Sequence, residues 1–277
     1  MIWRRPDLVG VSCASMGGLF VENFDVTTLP AVRDAGTDLL VDGFVVGYVA
    51  EDGTPGRVPL MDAWAVRFEA MAPARRFNLR KGQRHLPGRW WSATDGGHVG
   101  YESWLERDHL VAMDFDPTVV GIASQPFWLS WTVGDGRVRS HAPDYFARRV
   151  DGSAVVVDCR PVERRPARDV AAFDATRRAC GMLGWEYRLV GALDPIVTAN
   201  LRWLAGYRHP RHGIRGLTAA LRATFAETAP LLAGAEAVGD PIGVLPVLFH
   251  LLWRHDLVAD LSVPLHPTTA VTSVVAP

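Results

Sequence analysis

His141-Ala142-Pro143-Asp144-Tyr145-Phe146-Ala147-Arg148-Arg149, Val150-Asp151-Gly152-Ser153 and Ala154-Val155-Val156-Val157-Asp158-Cys159-Arg160 form one continuous stretch on which the fold turns. β-Branched and aromatic residues on both sides of an Asp-Gly pair read as two strands, 137–149 and 154–160, joined by a tight connection. Alternation along the second strand puts Asp158 and Arg160 on one face. The partner of Asp144 depends on the loop. A two-residue loop at Asp151-Gly152 sets Asp144 opposite Cys159, with the two aspartates on opposite faces. A three-residue loop, with glycine in the left-handed conformation, sets Asp144 opposite Asp158 on one face. The sequence favours the longer loop or an equivalent bulge, because glycine adopts that conformation without a Cβ clash.

Outward from this pair, periodicity predicts a helix over Tyr101–Asp114, stopped by Asp116-Pro117, and strands over Val119–Ser124 and Phe127–Val133. Downstream, Pro166–Gly181 reads as a helix and Trp185–Val190 as a strand. Asp194-Pro195 opens a further helix with a capping residue and a proline at its first position. The order α-β-β-β-α-β-α, with hairpin-like connections first and a helical crossover last, implies an α/β fold: a mixed sheet flanked by helices.

Around this central region, 75–210, two flanking regions differ in composition. Residues 1–74 alternate apolar runs (Leu39-Leu40-Val41, Phe44 to Val49) with turn signals (Glu51 to Gly56) and read as β-rich. Arg208 to Gly213 reads as a linker. Beyond it, 211–277 carries apolar helices at 217–232 and 244–255, then a hairpin of 261–265 and 271–275 around His266-Pro267-Thr268-Thr269. Helices followed by a terminal hairpin are compatible with a small winged-helix-like domain. Its few basic residues make protein docking at least as good a reading as DNA recognition.

Composition narrows the function. The chain has 277 residues, 48% hydrophobic and 21% charged, with a net charge of −1, which excludes a histone-like basic protein and an acidic tail protein. No apolar run reaches the ~18 residues of a membrane span. Leu8–Val21 is broken by Ser12, Ser15, Gly17 and Gly18, and without a clean cleavage site it is a poor secretory leader. Cys13, Cys159 and Cys180 are odd in number and widely spaced, so the expectation is a reducing cytoplasm without a disulfide framework. Lys81 is the only lysine, so arginine stands wherever this chain needs a long cation.

Two features point to phosphodiester chemistry. From Arg75 to Trp91 the chain carries Arg75, Arg76, Arg80, Lys81, Arg84 and Arg89 among Phe77, Trp90 and Trp91, with no acid, which suits a surface facing a nucleic-acid backbone. Glu106 on the first helix, together with Asp144 and Asp158, makes an all-oxygen set of high negative charge. Such a set suits Mg²⁺, with Mn²⁺ as substitute, and Arg160 beside it can offset charge on a phosphate. Glu102, one turn before Glu106, is an alternative helical ligand. Asp108, Asp114 and Asp116 read as solvated or capping residues. His209 and His212 flank Pro210 in a loop, whereas His141 is the histidine best placed for the cleft. Cys159 alternates away from Asp158 and reads as buried and apolar.

Pro143-Asp144 followed by Asp158-Cys159-Arg160 resembles the PD-(D/E)xK nuclease signature, and hence a restriction-endonuclease-like sheet. Further blocks resemble the TnsA family, the endonuclease subunit of heteromeric cut-and-paste transposases: Arg80-Lys81-Gly82-Gln83-Arg84, Trp90-Trp91-Ser92, Gly100-Tyr101-Glu102-Ser103-Trp104-Leu105-Glu106-Arg107-Asp108, Asp114-Phe115-Asp116-Pro117, Gln125-Pro126-Phe127 and His141 to Phe146. The likeness covers roughly 75–208, about half of the chain. It implies Mg²⁺-dependent cleavage of 5′ strands at the transposon ends in double-stranded DNA, beside a DDE transposase subunit and an ATP-binding regulator. It also implies that Glu106, Asp144 and Asp158 ligate metal. Arg160 stands where the family usually has lysine. Arginine stabilises a phosphate but cannot surrender its proton, so a neutral-lysine mechanism is excluded. A catalytically silent DNA- and protein-binding relative is the alternative, and a stand-alone defence or repair nuclease a third reading.

Overall fold

The computed structural model describes residues 43–75, 77, 87–161 and 167–274. It is a mixed α/β structure in which several largely antiparallel sheets are flanked by helices. The first elements are β1 (Val45–Val49), β2 (Pro55–Pro59), β3 (Gly88–Trp91), β4 (His98–Tyr101) and α1 (Trp104–Phe115). Then come β5 (Val119–Ser124), β6 (Trp128–Thr132), β7 (Val138–His141), β8 (Tyr145–Arg149), β9 (Ala154–Cys159), α2 (Ala167–Met182), β10 (Glu186–Val190) and α3 (Pro195–Leu204). The C-terminal segment adds α4 (Arg215–Thr224), β11 (Ala229–Pro230), α5 (Leu231–Val238), α6 (Pro241–Trp253), β12 (Leu257–Val258) and β13 (Ala270–Ser273).

The central sheet has the order β10-β9-β8-β5, with β9 and β10 parallel across the helical crossover and the other pairs antiparallel. Alternation sorts its side chains cleanly. Tyr145, Ala147, Val155, Val157 and Cys159 pack in one core with Leu110 and Val111 of α1. Phe146, Ala154 and Val156 pack in the other with Ala175, Ala179 and Cys180 of α2. Phe68 centres that second core, its ring 4.8 Å from Phe127, 5.4 Å from Phe146 and 5.9 Å from Trp185.

Four expectations are corrected. Residues 137–149 are two strands rather than one: β7 pairs with β6 in an outer sheet of order β2-β1-β6-β7, whereas β8 lies in the central sheet. The break falls at Ala142-Pro143-Asp144, where proline has no N–H for a ladder. The apolar run 217–232 is likewise divided, with β11 between α4 and α5, and the terminal hairpin pairs β12 with β13 rather than 261–265 with 271–275. Finally, Arg208–Gly213 is docked rather than a free linker. The Arg208 guanidinium lies 3.8 Å from the Trp90 ring centroid, its Nε donates to the Trp91 carbonyl at 2.9 Å, and the His209 ring lies against Trp91.

Strand pairing also runs across residue 74, because β1 is hydrogen-bonded to β6. The core around α1 continues into Leu221, Leu248, Leu251 and Leu257 of the C-terminal segment. Leu39-Leu40-Val41, Leu8–Val21 and Cys13 lie outside the described residues. Among the described residues no helix is long and apolar enough to cross a membrane.

Candidate active site

The site begins at the first turn of α1. Ser103 caps the helix, its Oγ accepting from the Glu106 N–H at 3.2 Å. Glu106 reaches back, Oε1 accepting from the Ser103 hydroxyl at 2.8 Å and Oε2 from the Glu102 N–H at 2.7 Å. This is a capping box, legible in Ser103-x-x-Glu106 although it was not part of the expectation. Each carboxylate oxygen has two lone pairs, so the cap leaves Glu106 acceptor capacity toward the sheet. Glu102 pairs with Arg75 through both oxygens.

Asp144 and Asp158 come from adjacent strands. The connection is the three-residue loop Val150-Asp151-Gly152, with Gly152 at φ +84° and its N–H donating to the Arg149 carbonyl. Tyr145 therefore pairs with Val157, which brings Asp144, the residue before β8, to the end of β9. Asp144 Oδ2 accepts from the Cys159 N–H at 2.7 Å, and its carbonyl accepts from the Gln125 N–H at 2.8 Å. Asp158 is buried, and its carboxylate is turned elsewhere. His141 Nε2 lies 2.8 Å from Oδ1 and 3.0 Å from Oδ2, and the Tyr187 hydroxyl donates to Oδ2 at 2.7 Å. His141, at the end of β7, thus meets Asp158 across the sheet edge, with its ring against Phe173 of α2. Tyr187 had no sequence signal, since it arrives on β10 from 29 residues away.

Electrostatics bind the group together. Burial pushes the Asp144 carboxyl well above the usual carboxylate range, with the charges of Glu106 and Asp158 adding to it; the Cys159 N–H and the Arg160 charge oppose the rise. Glu106 is raised too, by burial first, while its two cap bonds and Arg75 hold it back. Burial and the same carboxylates push the Cys159 thiol well up, which fits a buried, unreactive residue. Arg160 lies 3.8 Å from Asp169 at the edge of this field, its N–H donating to the Val190 carbonyl.

These residues fit a hard divalent cation. The donors are all oxygen, and the repulsion from Glu106 and Asp158 that adds to the burial of Asp144 is what a cation relieves. Among the described residues no three His, Cys, Asp or Glu side chains are grouped to hold a metal. Mg²⁺, however, is commonly held by one or two carboxylates and keeps several waters. Asp144 and Glu106 would serve as that pair, with Asp158 contributing its charge from the neighbouring strand.

Of the basic residues expected to face a nucleic acid, Arg75 is engaged by Glu102 and Arg89 is exposed on β3. Arg76, Arg80, Lys81 and Arg84 lie outside the described residues. Asp114 is a correction: rather than solvated or capping, it is buried. It accepts from Trp90 Nε1 at 2.8 Å, Ser92 Oγ at 2.9 Å, and the Thr94 N–H and hydroxyl at 2.9 and 2.8 Å. Asp108 pairs with Arg202 of α3, and Asp116 holds the turn to Thr118. Arg107 lies over Trp104 and Trp90, so the Trp90 ring meets the guanidinium groups of both Arg107 and Arg208.

No protein-family model matches the chain, and a search of curated proteins finds no significant relative.

Proposed function

We propose that the chain is a divalent-metal-dependent DNA endonuclease of the TnsA kind, cleaving the 5′ strands at transposon ends as part of a heteromeric transposase. The observation that carries this reading is the placement of Asp144, whose carboxylate accepts from the Cys159 N–H beside Asp158 and lies within the fields of Glu106 and Asp158. The sheet order β5-β8-β9-β10, with α1 and α2 on opposite faces, supports a restriction-endonuclease-like core. Mg²⁺ bound there would supply Lewis acidity toward the phosphodiester and a more readily ionised water. Asp144 and Glu106 would hold the cation, and the capping box fixes Glu106 so that little side-chain freedom remains to be lost. Arg160 offsets charge gathering on the phosphate and moves no proton. Arg89, and the basic run before it, follow the DNA backbone. The C-terminal order α4-β11-α5-α6-β12-β13, with sheet order β11-β13-β12, supports a winged-helix-like module for docking on the partner subunits.

Purified protein, alone or with a DDE transposase subunit, is expected to nick duplex DNA in Mg²⁺ or Mn²⁺, and Asp144→Ala to abolish nicking. A folded Asp144→Ala protein that cuts like its parent overturns the assignment. A second reading, a silent nuclease fold that binds DNA and protein, is favoured by Arg160 in the lysine position and by the engagement of Asp158 with His141 and Tyr187. Mn²⁺ calorimetry separates the two, because a silent site shows no binding that depends on Asp144.

A further inference from the structure

Gln125, directly after β5, takes a conformation that side-chain-bearing residues rarely adopt, with φ +47°. It is fixed at both backbone groups. Its N–H donates to the Asp144 carbonyl and its carbonyl accepts from the Ala74 N–H, each at 2.8 Å. It therefore ties Asp144 to Ala74, the neighbour of Arg75, which is the partner of Glu102. Because Ser124 pairs with Tyr145 and Tyr145 with Val157, Gln125 lies just past β5, beside the residue that leads into β8. The Gln125 side chain is 2% exposed, and its Oε1 has no hydrogen-bond partner among the described residues. A backbone outlier of this kind persists only where its surroundings impose it, and a buried carbonyl without a donor is costly.

Once ionised around a cation, the neighbouring carboxylates only accept and offer Gln125 no donor. A hydrated divalent cation does, through the polarised O–H bonds of the waters that Mg²⁺ retains. We propose that Gln125 is a positioning residue of the candidate site: its backbone holds Asp144, and its buried side-chain carbonyl accepts a hydrogen bond from a water on the cation beside Asp144. This inference rests on the nuclease reading and adds to it a residue outside the acidic set.

Two variants of unchanged side-chain length test it in the full chain. Gln125→Met keeps the shape and loses the acceptor, while Gln125→Glu keeps the reach and strengthens the acceptor. The readouts are the melting temperature without metal and Mn²⁺ affinity by isothermal titration calorimetry. Gln125→Met is expected to melt no lower than wild type without metal, because an unsatisfied carbonyl is gone, yet to bind Mn²⁺ about tenfold more weakly. Gln125→Glu is expected to melt lower without metal, from the added charge beside Asp144, and to bind Mn²⁺ at least as tightly as wild type. Wild-type Mn²⁺ affinity in a folded Gln125→Met protein overturns the inference and leaves the nuclease reading standing. If Gln125→Met does not fold, a Gln125→Glu protein that binds Mn²⁺ more weakly than wild type overturns it instead. A wild-type protein that binds no Mn²⁺ overturns both.

Discussion

Replacing Asp114 by alanine removes the carboxylate on which the β3–β4 hairpin hangs from α1. Four hydrogen bonds end on its two oxygens, from the Trp90 indole, the Ser92 hydroxyl, and the Thr94 amide and hydroxyl. Thr94 is partly accessible and can turn to water, so its loss costs little. Trp90 and Ser92 are buried, at 7% and 0% exposure, and their donors are left without partners. At roughly 1–3 kcal/mol for each orphaned group, the pair amounts to about 4 kcal/mol. For a chain of this size that corresponds to a fall in Tm of about 10 °C. Thermal denaturation followed by near-ultraviolet circular dichroism checks it, because Trp90 reports on the hairpin directly. Asp116→Ala, which loses only the Thr118 turn, serves as control and is expected to shift Tm by less than about 2 °C. An Asp114→Ala protein melting within about 3 °C of wild type refutes the view that this carboxylate anchors the hairpin.

Asp144→Asn is expected to stabilise the metal-free protein. With its carboxyl raised, the folded state holds the proton more tightly than the unfolded chain. Wild-type stability therefore falls as pH climbs out of the ordinary carboxylate range, and the full penalty is present once Asp144 has ionised. The variant melts higher at neutral pH, the gap closing toward acid, in melts recorded across pH; a constant gap contradicts the assignment. Arg208→Ala removes the guanidinium from Trp90 and its bond to the Trp91 carbonyl, with an expected loss of about 2 kcal/mol in denaturant titration. Arg89→Ala is expected to weaken binding to duplexes of any sequence alike and to lower the slope of log K against log salt by about one, measured by fluorescence anisotropy. An unchanged slope removes Arg89 from the phosphate-contacting set.

The β8–β9 hairpin was legible because two local signals agreed: strand alternation and an Asp-Gly pair whose glycine takes a positive φ. The crossover α2–β10 and the Asp194-capped α3 were legible for similar reasons, as each depends on residues a few positions apart. What lay beyond reading was set by distant partners. Residues 138–149 look like one extended run, and only the pairing of β7 with β6 and β8 with β9 shows that they serve different sheets. Asp114 looks like a helix-end acid until the hairpin 20–24 residues upstream closes over it. Likewise, the sequence brings Asp158 to the site, yet the direction of its carboxylate is decided by His141 and Tyr187, neither of them a strand neighbour in the motif. The division between α4 and α5 is different, since Pro230 marks it locally and the continuous apolar pattern masks it.

The outer sheet joins chain segments some eighty positions apart, since Val45 pairs with Ser130 and Gly47 with Trp128. A fragment starting at residue 75 would keep every proposed catalytic group and still forfeit two strands. It would bare the Phe127 and Leu129 side chains and leave β6 with an unprotected flank, ready to recruit another molecule's backbone. Such a trimmed protein is expected to precipitate on expression, so the amino-terminal strands act as a built-in chaperone for the sheet that follows them.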